Sequence, residues 1–111
     1  MGQKADKRIV DFVKRIGKKF KIEKAIFFGS RARGDYLNNS DYDILLVSED
    51  FKGIFFTKRI SMTYEFWKHF PLEIEPLCYT PEEFNKLKKR IGIVKEAVKE
   101  GIEIGCGTLR S

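Results

Sequence analysis

Cysteine and histidine are scarce. The chain carries two cysteines, Cys78 and Cys106, and a single histidine, His69, without the spacing of a metal cage or a thiol–imidazole pair. A zinc site and cysteine redox chemistry are therefore disfavoured, the thiols read as structural or incidental, and His69 reads as a solvated residue at a helix end. Long hydrophobic runs are also missing, and the start Met1-Gly2-Gln3-Lys4-Ala5-Asp6 has neither a secretory core nor a myristoylation pattern. The protein is accordingly expected to be cytoplasmic, with no membrane attachment. No repeat, linker or low-complexity segment occurs. At 111 residues the length fits one domain over 1–111 with a single core, and a second ligand-binding domain would have to come from a partner.

Charge is plentiful but unevenly placed. Of 22 Lys and Arg, nine lie within residues 1–24 together with three of the 16 Asp and Glu, so the net charge of +6 belongs to this stretch and the remainder is balanced. A solvated helix face, an acidic partner and nucleic acid all remain compatible with it.

Periodicity outlines the elements. Ile9, Val10, Phe12, Val13, Ile16 and Phe20 recur at helical spacing and predict an amphipathic helix over residues 4–19, weakened at Gly17. Ala25-Ile26-Phe27-Phe28 reads as a strand buried on both faces. A turn at Gly29-Ser30 opens a short helical segment closed by Gly34, and residues 36–40 form a polar loop. A second strand covers Tyr42 to Val47, a loop follows over 48–53, and a helix is predicted over Ile54 to Phe70 with Phe56, Ile60, Tyr64 and Trp67 as its apolar stripe. The third strand runs from Leu72 to Tyr79. Thr80-Pro81-Glu82-Glu83 is a helix start, with Thr80 as N-cap, Pro81 in the first turn and Glu83 completing a capping box; Phe84, Leu87, Ile91, Val94 and Val98 then predict one buried stripe ending at Gly101. Ile102-Glu103-Ile104 adds a short strand. This order gives an α/β or α+β sandwich, a small sheet flanked by helices.

The chemistry-bearing residues gather at strand ends. Gly29 lets the backbone approach a phosphate, Ser30 adds a hydroxyl, and Arg31 or Arg33 adds charge-assisted hydrogen bonds. Asp41 and Asp43 are spaced to project from one side of the second strand as hard oxygen ligands for divalent ions, with Tyr42 on the other side. Glu73 and Glu75 share one face of the third strand, and Glu75, between Ile74, Pro76 and Leu77, is expected to lie deeper, where an unpartnered carboxylate is costly. A carboxylate there would take the proton from an attacking hydroxyl.

Gly29-Ser30-Arg31-Ala32-Arg33-Gly34 followed by Ser40-Asp41-Tyr42-Asp43 resembles the signature of the DNA polymerase β-type nucleotidyltransferases. Cys78-Tyr79-Thr80-Pro81-Glu82-Glu83-Phe84 resembles their minimal prokaryotic subgroup (MNT), and the likeness spans about residues 8–105. The resemblance implies a mixed sheet, ATP as substrate with two Mg²⁺ ions, Gly29, Ser30 and Arg33 on the triphosphate, and Asp41, Asp43 and Glu75 as metal-holding catalytic acids. Position 75 departs from the subgroup, which more often has Asp there. The resemblance also implies a small helical HEPN-type partner encoded nearby, the two forming a toxin–antitoxin pair in which AMP is transferred to the partner. Two other functions stay open: an antitoxin that neutralises its partner by covering it, and a transferase acting on RNA or on a small hydroxylated compound. The sequence leaves the oligomeric state open.

Overall fold

The structure, a computed structural model, describes residues 7–29, 42–68 and 74–104. Helix α1, Lys7–Ile16, buries Ile9, Phe12, Val13 and Ile16 completely, the three- and four-residue spacing that puts one face of a helix against a core. Lys14 and Arg15 sit in its last turn, where cations complement the negative end of the helix dipole. The helix loosens at Gly17, as its sequence predicts, and Phe20 and Ile22 continue the same apolar layer.

Four strands follow: β1 (Lys24–Phe28), β2 (Tyr42–Val47), β3 (Ile74–Tyr79) and β4 (Ile102–Ile104), in the order β3-β2-β1-β4. β1 is antiparallel to both β2 and β4, whereas β3 is parallel to β2. The sheet is therefore mixed. Alternation along each strand sorts the side chains into two layers. Ala25, Phe27, Tyr42, Ile44, Leu46, Ile74 and Cys78 join α1 on one face, while Ile26, Phe28, Leu45 and Val47 lie on the other. Burying each of the larger side chains stabilises the fold by roughly 1.5–3 kcal/mol.

Helix α2, Phe56–Tyr64, is shorter than its apolar pattern predicts and continues as turns through Lys68. It also faces differently. Its buried residues are Arg59 and Thr63, with Met62, Phe66 and, from the predicted stripe, Trp67 packed on the core, whereas Phe56 and Tyr64 of that stripe are 38% and 50% exposed. A guanidinium fixes this rotation: Arg59 donates to the backbone carbonyls of Ile54 (2.8 Å) and Cys78 (3.0 Å) and to both Glu83 oxygens (2.6 and 3.1 Å). The loop before α2 holds a 3₁₀ turn, Glu49–Phe51, capped by Ser48 and anchored by the buried Phe51.

The capping box predicted at Thr80 is present, with Pro81 in the first turn of α3, Pro81–Leu87. One long helix does not follow. The chain turns at residues 88–92, Gly92 has φ 157°, and α4 occupies Ile93–Glu100. An unbroken helix would carry Gly92 in its interior at a cost of about 1 kcal/mol. Of the predicted stripe, Phe84 and Val94 are buried, Ile91 is 97% and Val98 47% exposed, and Ala97 takes the second buried place on α4.

Candidate functional site

The two helices over the second face, α3 and α4, cover Ile26, Leu45 and Val47 through Phe84, Val94 and Ala97. At the end of that face where β1 stops, Phe28 is still buried in this layer. There the register aligns Phe28 of β1 with Asp43 of β2, and Asp43 with Glu75 of β3, so the two carboxylate residues stand abreast on neighbouring strands and on the same face. Asp43 is half-buried and Glu75 is exposed.

Gly29 closes this row at the end of β1. Its φ of 86° lies in the left-handed region, which costs a side-chain-bearing residue roughly 1–2 kcal/mol. A Cβ at this position would also fall 3.2 Å from the Asp43 Cγ and collide with Oδ2. Glycine is thus required twice, once by backbone geometry and once because the Asp43 carboxylate lies against the bare backbone.

Tyr42 shows how β2 is oriented. Its ring is buried on the opposite face, stacked on Phe27 with centroids 5.8 Å apart, and Arg8 of α1 donates to its hydroxyl at 2.8 Å. Strand alternation then turns Asp43 to the second face, as the sequence predicts.

The expected burial of Glu75 is not observed. Glu75 is exposed on the edge strand β3, and the argument from desolvation does not apply to it. Its place beside Asp43 follows from strand register instead. Ser30, Arg31, Arg33, Asp41 and Glu73, with His69, Cys106 and the expected helical segment after Gly29, lie outside the described residues. No group of three His, Cys, Asp or Glu side chains converges as a metal cage among the described residues. The donors present, two carboxylates side by side beside a glycine cradle, are oxygen only, the set that hard divalent cations such as Mg²⁺ take.

Cys78 is fully buried, and burial pushes its thiol up to about 12. It has no part in acid–base or redox work at neutral pH. The Arg59–Glu83 pair was not legible from periodicity, since Arg59 falls inside what reads as an apolar helix and Glu83 already has a role in the capping box. The Arg59 guanidinium, chiefly by hydrogen bonding, holds the Glu83 carboxyl below its ordinary value.

Comparison with known proteins accords with this geometry. Residues 7–103 match the family described as a nucleotidyltransferase domain. The chain is 36% identical over 84 residues, 73% of its length and 79% of the relative's, to a protein of Methanocaldococcus jannaschii named "Putative protein adenylyltransferase". Among solved structures it superposes on a "putative nucleotidyltransferase" from Sulfolobus solfataricus with a TM-score of 0.51 and 30% identity, covering 73% of this chain and 75% of the other. BolA1 from Arabidopsis thaliana gives a TM-score of 0.57 at 16% identity over 71% of this chain and 98% of its own; that likeness shows a shared arrangement of helices and strands and no shared chemistry.

Proposed function

Because the chain belongs to the nucleotidyltransferase-domain family, we propose that it transfers AMP from ATP to a hydroxyl on a partner protein, and that this partner is a helical HEPN-type protein encoded nearby. The observation that carries this reading is the row Gly29, Asp43, Glu75 where β1 ends and β2 and β3 begin. Similarity to a protein named as an adenylyltransferase supports a protein acceptor.

Gly29 and Ser30 would receive the triphosphate, where a backbone without Cβ admits close phosphate oxygens, and Arg33 would add charge-assisted bonds. Asp41, Asp43 and Glu75 would hold Mg²⁺, which when bound supplies neutralisation of phosphate charge. Glu75, more exposed than Asp43, stands nearer to an arriving acceptor, and its carboxylate takes the proton as the acceptor oxygen bonds to the α-phosphorus and pyrophosphate leaves. An acceptor docked over the exposed Glu75 would exclude water from that side of the site.

The test incubates the chain, Mg²⁺ and labelled ATP with and without the product of the adjacent gene and maps the modified side chain by mass spectrometry. Label on a Tyr, Ser or Thr of that product is the expected result. Labelling of RNA or of an aminoglycoside alone would replace the protein acceptor, whereas tight binding of the partner with no label would make the chain a non-catalytic antitoxin.

A further inference from the structure

The carboxylate row stands where the β1–β2 ladder gives out. The last rung that β1 and β2 share is Phe28–Asp43, and Gly29 then leaves strand geometry with φ 86°. Tyr42, one residue further out, has a ladder partner among the described residues on the β3 side alone, Ile74, the first residue of that strand. Rungs at the end of a ladder open at little cost in free energy. Asp43 nevertheless has to stay where its carboxylate lies against the bare Gly29 backbone, and on the β1 side the outermost residue of β2 is held by its side chain.

The Tyr42 ring is 2% exposed and stacks on Phe27 with an angle of 13° between the ring planes. A phenylalanine would fill that space as well. The hydroxyl adds what packing does not need: it accepts from Arg8 Nη2, and the Arg8 guanidinium carbon lies 5.6 Å from the ring centroid, within cation–π range. Because the donor is charged, this hydrogen bond is roughly twice as strong as a neutral one. Arg8 stands in the first turn of α1, whose Ile9, Phe12, Val13 and Ile16 are fixed in the core. The bond therefore ties the entry of β2 to a firmly packed element 34 residues away in sequence.

We propose that Tyr42 and Arg8 are positioning residues for Asp43: their bond pins the start of β2 to α1 and so keeps the Asp43 carboxylate abreast of Glu75. The inference rests on the reading of Gly29, Asp43 and Glu75 as a nucleotidyl-transfer site. Tyr42 acts from the far face of the sheet and through the backbone, since neighbouring residues of a strand face opposite ways. A displacement of about 1 Å in such a site costs about 10²-fold in rate, and removing a group that orients a metal-holding side chain typically weakens the metal by about 10- to 100-fold.

The experiment titrates Mg²⁺ into the full chain at saturating ATP and reads the concentration that gives half of the thermal shift. Tyr42→Phe keeps the ring and its stack and is expected to raise that concentration by about tenfold. Arg8→Met raises it at least as much, and the double variant goes no further than Arg8→Met, because both substitutions remove one bond. Amide hydrogen exchange followed by NMR supplies a readout without metal or nucleotide: in Tyr42→Phe the amides of Tyr42 and Asp43 exchange faster, while those of Leu45, Leu46 and Val47 exchange as before. A hydroxyl with only a structural role would lower the ligand-free melting temperature and leave the Mg²⁺ midpoint in place, and that result overturns the proposal. So does exchange that is unchanged at Asp43 or equally faster along all of β2. A wild type without any Mg²⁺-dependent shift overturns the site reading and this proposal with it, whereas a wild-type shift matched by Tyr42→Phe overturns the positioning role alone.

Discussion

Gly29→Ala places a methyl group where the Asp43 carboxylate lies and forces a side-chain-bearing residue to φ 86°. It is expected to lower stability by roughly 1–2 kcal/mol and to remove the Mg²⁺-dependent ATP thermal shift, which differential scanning fluorimetry reads directly. Asp43→Asn should lose the same Mg²⁺-dependent shift; a normal shift would take Asp43 out of the site. Glu75→Gln should slow label transfer by about 10² to 10⁴, the usual cost of losing a positioned base, with ATP binding largely retained. Strand alternation made the facing of Asp43 legible, and the same parity brought Glu75 to attention. Its exposure was not legible, because alternation tells which face a residue takes and says nothing about which strand lies at the edge of the sheet.

At the scale of elements, the Arg59–Glu83 pair joins α2 to the end of β3 and the start of α3. Arg59 is 5% exposed, and Arg59→Met should destabilise the protein by about 3 kcal/mol, the lower part of the range for breaking a buried pair because Glu83 keeps access to water. For a domain of this size that lowers Tm by more than about 10 °C. Glu83 has its folded value held below the ordinary 4.5, so the unfolded chain binds more protons in that window and stability rises with pH. The contribution is complete above the ordinary glutamate value and fades as pH falls through the depressed one. Glu83→Gln should therefore flatten the acid limb of a stability–pH curve; an unchanged limb would show that the pair does not couple to protons. All four strands and the capping box at Thr80 were legible, since alternation and capping act over a few residues. The break at Gly92 and the rotation of α2 were not: each is decided by a distant contact, the sheet face under α3 and α4 in one case and Cys78 with Glu83 in the other.

For the whole molecule, ligand binding and folding share one equilibrium. With Mg²⁺ present, ATP at about 100 times its Kd should stabilise the chain by roughly 2.7 kcal/mol, and chelation of Mg²⁺ should reverse the gain; a melting temperature indifferent to both would leave the row Gly29, Asp43, Glu75 without its nucleotide. Cys78 offers a second global readout. Fully buried, with its thiol pushed up to about 12, it is unreactive while the sheet is intact and becomes an ordinary thiol once β3 leaves β2. In a Cys106→Ser background, alkylation of Cys78 therefore acts as a clock for spontaneous opening: its rate equals the intrinsic thiol rate multiplied by the fraction of time the molecule spends open. The same atom that has no chemical role in transfer thus reports how long each molecule stays folded between encounters with a protease or a partner.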